Sequence, residues 1–461
     1  MQIENDVEQG AVKDEAGLYR KVMWRLLPFL FLCYMCAYLD RINVSFAKLQ
    51  MLNDLSFSEE VYGLGAGIFF VGYLLFEVPS NLILLRVGAR RWIARIMVTW
   101  GALSACMMFV TTPTSFYILR FLLGVAEAGF IPAILLYLTY WFPSSRRSKV
   151  TALFLTGIPM SGVIGGPLSG WILNGMGGVS GLTGWQWLFV LEGIPTVLVG
   201  IIAFFYLDDR VTDAKWLNAA EKRLISSNLD ADKRGHQLHS VKEGLLDPKI
   251  WLMSCIYFCF TMGLYGVSFW LPSLIKATGV NDPLNIGLLT AIPYAAATLA
   301  MILVSRRSDE KGERRWHLAI PGIVGALSLC ASVVFAHSPT IAIVALTIGT
   351  MGVMTTISQF WTLPPAILGG AAAAAGIALA NSVGSISGVV SPYLIGWFQT
   401  HTGATGGGVY GLAISMLIGS ALVFAVPARM VNSKKHAATT GSTKMNNETG
   451  GVRRPVVTAE I

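Results

Sequence analysis

The sequence predicts an all-α membrane protein in which twelve transmembrane helices form two pseudo-symmetric six-helix bundles. Three observations lead there. Hydrophobic residues fill 54% of the 461 positions and charged residues only 13%, about half the usual quarter of a soluble chain. The apolar positions gather into runs of roughly 20 residues, the length a helix needs to cross a hydrocarbon core of about 30 Å. The chain also repeats a motif after 224 positions, dividing the runs into two equivalent sets.

Taken in order, residues 1–25 mix both charge signs and form a cytoplasmic N-terminal segment. The apolar run behind them is too long for a cleaved signal peptide. Spans follow at about 26–47, 61–85, 93–112, 115–141, 148–173 and 186–207, the N-terminal bundle (26–207). Residues 208–248 are a polar cytoplasmic linker. Six more spans, at about 249–275, 285–304, 317–336, 339–362, 371–398 and 409–430, form the C-terminal bundle (249–430). Residues 431–461 lack apolar periodicity and read as a disordered cytoplasmic tail.

The net charge of +8 reads as topology rather than as nucleic-acid binding, because the basic residues sit between apolar runs instead of on one wetted surface. With both termini cytoplasmic, only Lys48 and Lys276 reach outer loops and only Arg41 and Arg120 lie deep in spans. The remaining basic residues fall on the inner side or at inner span ends, as the positive-inside rule requires. The repeat is carried by "GARRW" (Gly88 to Trp92) after span two and "GERRW" (Gly312 to Trp316) after span eight. Pro167 with Pro392 and Trp171 with Trp397 keep nearly the same offset in spans five and eleven. A six-helix unit is therefore used twice in parallel.

Several chemistries are not indicated. All six cysteines lie in apolar runs, against both a disulfide framework and a zinc site. "GLGAG" (63–67) opens a membrane span with no strand before it, which points to helix packing rather than to a nucleotide. No H-E-x-x-H, nucleotide loop or intramembrane Ser/His/Asp set is present, so neither an enzyme nor a cofactor is expected.

The informative residues are the charges inside the membrane. An ionisable group at the bilayer centre costs about 2.5 to 3.5 kcal/mol on insertion scales and is a functional candidate by default. In "YLDRINVSFAK" (38–48), Asp40 and Arg41 lie roughly 21 Å from the inner end of span one, counting about 1.5 Å per residue. Arg120 in span four, which runs the other way, lies about 7 Å below its outer end, so Asp40, Arg41 and Arg120 are expected to meet. Glu127 follows Arg120 by seven residues, two turns on and on nearly the same face. Gly124 and Gly129 leave room there for another helix. A guanidinium is permanently charged and grips a carboxylate through two parallel hydrogen bonds, which suits an anionic substrate. A partly desolvated acid, Asp40 or Glu127, is suited to carrying a proton. Glu77 and Glu192 read as structural acids that pair or snorkel near an interface.

The second half offers an opposing wall. "SQFWTLPP" (358–365) breaks span ten at Pro364 and Pro365 and is expected to present Ser358, Gln359 and Trp361 on one surface. "ANSVGSISG" (380–388) places Asn381 in a small, polar centre of span eleven.

Two parallel six-helix halves resemble the major facilitator superfamily, and the loop strings are similar to its cytoplasmic signature G-x-x-x-D-R-x-G-R-R. "NLILLRVGARR" keeps Arg86, Gly88, Arg90 and Arg91 but has Leu85 at the acidic position, while "SRRSDEKGERR" retains Asp309 and Gly312, with Arg314 following. "YLDRINVSFA", "FFVGYLLFEVPSNL", "RFLLGVAEAGFIP" and "YWFP" resemble the superfamily's anion:cation symporter branch, whose bacterial members carry tartrate, rhamnonate, galactonate, phthalate or 4-hydroxyphenylacetate. The resemblance implies proton coupling at Asp40 and Glu127, conserved charges at Arg41 and Arg120, and substrate contacts at Tyr38, Tyr73, Trp361 and Asn381. It implies gating by the loops that hold Gly88, Arg90, Arg91, Asp309, Gly312 and Arg314.

The expectation is a monomeric, multi-pass inner-membrane symporter whose partners are a small organic anion, protons and the bilayer. Hydroxylated acids such as tartrate or a sugar acid are favoured, with aromatic acids next. "GVIGGPLSG" (162–170) resembles a glycine-proline motif prominent in antiporters, which keeps proton-driven export or anion exchange as the alternative.

Overall fold

The computed structural model describes residues 15–234, 247–364 and 370–432. Its main helices are α1 (Glu15–Leu55), α2 (Glu59–Val87), α3 (Ala89–Cys106), α4 (Pro113–Glu127), α5 (Phe130–Thr139), α6 (Ser144–Leu155), α7 (Gly157–Gly175) and α8 (Gly184–Tyr206). There follow α9 (Ala219–Arg234), α10 (Pro248–Lys276), α11 (Pro283–Lys311), α12 (Arg315–Val334), α13 (Pro339–Phe360), α14 (Gly370–Thr402), α15 (Gly406–Val423) and α16 (Ala428–Val431). Among the described residues twelve spans are long and apolar enough to cross a membrane, with α4 and α5 making the fourth and α6 and α7 the fifth. An even number returns the chain to one side, called here the terminal side.

Local chemistry starts these helices where the chain turns. Proline occupies the first turn of α4, α10, α11 and α13, where its missing N–H would have had no helical partner. Thr112 caps α4 through a reciprocal box with Ser115, and Asp247 and Asp282 cap α10 and α11.

The helix that carries span one covers Glu15–Leu55, with an acidic residue in its first turn favoured by the helix dipole. Two expectations change. The linker is partly helical: α9 lies against the N-terminal half through Lys21–Glu221 at 2.8 Å and Arg147–Asp232 at 3.2 Å. Span four is broken rather than continuous, because Ala128 leaves the helical region and Gly129 takes φ +86°, a left-handed conformation that favours glycine. Pro365 and the tail from residue 433 lie outside the described residues, as do 1–14 and 235–246.

The two halves meet along α2 with α14 and α7 with α11, and glycines set the spacing. A Cβ on Gly63 would sit 2.7 Å from the Pro392 carbonyl oxygen, and one on Gly67 2.8 Å from that of Val389. On the other seam, Gly166 and Gly170 face the carbonyls of Gly287 and Pro283 at 2.6 Å by the same measure. The glycines of 162–170 therefore form a helix-packing surface. These approaches lie towards the side away from the termini, where Tyr62 donates to the Phe269 carbonyl at 2.7 Å and Lys276 to that of Leu49 at 3.4 Å.

Candidate functional site

Arg41 and Glu127 form an ion pair between α1 and α4, their side chains 13% and 1% exposed. The break in span four follows directly after Glu127, so the carboxyl projects from the last residue of a helix. Gly124, one turn earlier, packs on the backbone of Phe69, so α2 runs close beside α4 and carries its aromatic rings to the pair. The Arg41 guanidinium lies 5.5 Å from the Phe69 ring centre, 5.8 Å from Tyr73 and 5.9 Å from Tyr38. Such faces favour a cation that is only partly hydrated.

Tyr38 reaches across the halves to Ser268 of α10, hydroxyl to hydroxyl at 2.9 Å. Asn381 of α14 does the same from the other side, donating to Glu77 of α2 at 3.0 Å. Glu77 is 7% exposed and paired with an amide of the opposite half, so it is no interfacial acid as the sequence suggested. Trp361 packs on Tyr257 at 4.8 Å and on Phe360 at 5.3 Å. Ser358 and Gln359 turn instead to Ser305 of α11, at 3.3 and 2.7 Å. The expected common surface for Ser358, Gln359 and Trp361 is not formed, because α13 ends at Phe360 and Trp361 belongs to the turn after it.

Asp40, Arg41 and Arg120 do not meet as expected. Adjacent residues on a helix point about 100° apart, and while Arg41 turns to Glu127, Asp40 turns into the N-terminal bundle and accepts from Ser104 at 2.9 Å. Arg120 is fully buried; its Nε donates to the Gly65 carbonyl at 3.3 Å and its guanidinium lies 5.0 Å from the Phe69 ring. Phe69 therefore lies against both arginines. The terminal nitrogens of Arg120 have no hydrogen-bond partner among the described residues.

Lys48, expected in an outer loop, is a buried residue of α1. It pairs with Glu59 at 2.6 Å and lies 3.4 Å over the Trp270 ring of the other half. The loop motifs also resolve into distinct structures. Gly312 ends α11 at φ +63°, Arg314 pairs with the mostly exposed Asp309 at 2.6 Å, and the Arg314 amide donates to Asn432 at 2.9 Å. In the first copy Gly88 ends α2 at φ +95°, and the acid absent at Leu85 is supplied by Asp209, which accepts from the Arg90 amide at 3.0 Å and pairs with its side chain at 3.4 Å. Arg91 is exposed. Asp209 was missed because nothing local marks it; its position 223 residues before Asn432 was the available signal.

The Major Facilitator Superfamily profile matches residues 30–392. "Putative metabolite transport protein NicT" of Pseudomonas putida is 49% identical over 93% of this chain and 98% of its own length. A "Putative tartrate transporter" of Agrobacterium vitis is 47% identical over 92% and 94%, and the "Quinolone resistance transporter" of Acinetobacter baumannii 40% identical over 91% and 97%. Among solved structures, the inward open xylose transporter XylE of E. coli superimposes with a TM-score of 0.71 at 13% identity, covering 90% of this chain and 98% of that one.

Proposed function

The chain belongs to the major facilitator superfamily, and from that membership we propose that it imports a small organic anion with protons by alternating access of its two halves. The observation that carries this reading is the Arg41–Glu127 pair, ringed by Tyr38, Phe69 and Tyr73. While Glu127 is ionised it occupies the guanidinium. A proton on Glu127 releases Arg41 to take a substrate carboxylate bidentately. Proton and anion then favour each other's binding, and coupling follows from linkage. Tyr38 and Asn381, each bonded across the halves, offer hydroxyl and amide groups to a hydroxylated acid, and Trp361 offers a ring to a sugar acid or an aromatic one. Tartrate or a sugar acid is the favoured substrate, which agrees with the name of one relative.

In this reading the protein is a monomer of the inner membrane with both termini cytoplasmic. Its Lys48–Trp270 side faces outward and is closed. A second reading, proton-driven export or exchange, is favoured by the quinolone-resistance relative; quinolones also bear a carboxylate that Arg41 can hold. A thermal-shift screen of carboxylic acids on purified protein, followed by uptake into proteoliposomes under an imposed pH gradient, separates the two. Import requires accumulation on the alkaline side of the acid that stabilises the protein. Quinolone movement against the proton flow, with no carboxylic acid accumulated, refutes import.

A further inference from the structure

The outward face of α3 carries two arginines that no carboxylate meets. One side of this helix is packed: Ile93, Met97, Trp100 and Ser104 are buried, and a Cβ on Gly101 would sit 2.8 Å from the Gly193 carbonyl oxygen of α8. Opposite them Arg91, Thr99, Ala102 and Cys106 are exposed and Arg95 is half-buried, at the spacing of a single helical face. Ser104, on the packed side, reaches Asp40 of α1, so the exposed side points away from the seam between the halves and towards lipid. Arg95 lies about 9 Å into α3 from its terminal-side end, deeper than the loop charges that set topology. Its guanidinium turns back towards that end and lies 3.8 Å from the centre of the Trp92 ring. Trp92 is itself fixed, donating Nε1 to Ser80 of α2 at 3.0 Å. A long cationic side chain held this way reaches the headgroup layer. The Arg95 Nε has no hydrogen-bond partner among the described residues. Arg91 lies one turn before it, and like charges at that spacing repel. Asp209, the acid at this end of α3, is engaged by Arg90, and among the described residues neither Arg91 nor Arg95 forms an ion pair.

We propose that Arg91 and Arg95 bind the phosphate of an anionic phospholipid from the leaflet on the terminal side. A phosphate between the two guanidinium groups removes their repulsion and accepts charge-assisted hydrogen bonds from both. A lipid is the fitting source, because acyl chains already hold its phosphate at the edge of the hydrocarbon, whereas a free inorganic anion must shed water to enter an apolar face. Beyond the arginines the exposed positions are Thr99, Ala102 and Cys106, small side chains that leave a track along α3 for an acyl chain. Basic groups at the cytoplasmic ends of membrane helices favour anionic headgroups for the same electrostatic reason. The site does not depend on which solute the protein carries.

Thermal unfolding of the purified full-length protein in detergent, titrated with dioleoyl phosphatidylglycerol or with the phosphatidylcholine of the same chains, tests the site. Wild type should be stabilised by phosphatidylglycerol and not by phosphatidylcholine. Arg95→Gln should weaken the apparent affinity for phosphatidylglycerol about fivefold or more. Lys215→Gln, which removes an exposed charge from the same side, should leave it unchanged. Arg91→Gln alters only an exposed position, should weaken the affinity as Arg95→Gln does, and serves if Arg95→Gln fails to fold. Equal losses in Arg95→Gln and Lys215→Gln overturn the site in favour of a general attraction between a basic surface and anionic lipid. Equal stabilisation of wild type by both lipids overturns the role of headgroup charge. Inorganic phosphate that stabilises wild type as much as phosphatidylglycerol does, and has no effect on Arg95→Gln, overturns the lipid in favour of a soluble anion.

Discussion

At the scale of single residues, Arg41 and Glu127 hold one another in an environment where either alone is costly. Removing one partner of a buried pair typically costs about 3 to 5 kcal/mol, because the other charge is left uncompensated. Arg41→Ala should therefore lower both stability and anion affinity, the latter by more than about a hundredfold. Adding Glu127→Gln should recover stability without recovering binding, and Arg41→Lys should rescue little, because an ammonium cannot reproduce the planar fork. Thermal unfolding with and without the stabilising acid measures both quantities. Near-normal binding by Arg41→Ala would remove it from the site. Glu127→Gln alone imitates the protonated acid, so it should bind and exchange substrate yet fail to accumulate it under a proton gradient. Exchange cycles only loaded carriers, whereas net uptake requires release of the proton from an empty one. Accumulation at wild-type levels would move the coupling role to Asp40. The sequence made Arg41 and Glu127 legible because charge in an apolar span is rare. It did not reveal which acid each arginine meets, since that depends on helix rotation, and a seven-residue spacing equally suited Arg120 to Glu127.

At the scale of elements, the two loop copies solve one problem with different residues. The first turn of α12 has free backbone amides, and Glu313 accepts from Trp316 at 3.0 Å and His317 at 3.3 Å. Burial alone would push the Glu313 carboxyl up, but the Trp316 amide, the His317 ring and the Asn432 side chain outweigh it and hold it below the usual carboxylate value. A depressed folded-state pKa means that the stabilisation is complete above the unfolded value, about 4.3 for glutamate, and is lost as pH falls through the lower folded value. Glu313→Gln should thus destabilise by about 0.5 to 1 kcal/mol at neutral pH, the scale of a helix cap. The gap to wild type should close in acid, which melting curves across pH would show; a constant gap would mean that charge plays no part. The corresponding position in the first copy is Ala89, and there Asp209 does the capping from 119 residues away. A local motif cannot report such a partner, which is why the first copy, with Leu85 at the acidic position, shows no acid in sequence. The break in span four was hidden for a related reason: Gly124 and Gly129 look alike in sequence, yet only Gly129 adopts a positive φ, while Gly124 makes room for α2.

At the scale of the whole molecule, twelve spans and a two-fold repeat were readable because bilayer thickness and hydropathy leave few alternatives. The conformational state was not, because alternating access gives one sequence two packings that differ by a few kcal/mol. The side away from the termini is closed by Lys48 over Trp270, by Tyr62 on the Phe269 carbonyl, and by glycines of α2 lying against carbonyls of α14. Gly63 is the sharpest test. Any side chain there meets the Pro392 oxygen at 2.7 Å and the Tyr393 Cα at 3.2 Å, both backbone atoms that cannot swing aside. Overpacking of this kind costs about 1 to 3 kcal/mol, and only in the packing that closes this side. Each 1.4 kcal/mol changes the ratio of the two states about tenfold, so Gly63→Leu should populate the opposite state by about tenfold or more without touching Arg41 or Glu127. Spin labels on Thr111→Cys and Ala404→Cys, in a background lacking the six native cysteines, would read this as longer distances between the halves on that side. Transport should fall while carboxylate binding from that side persists. A distance distribution identical to that of the unsubstituted background would show that α2 and α14 do not form the closing seam.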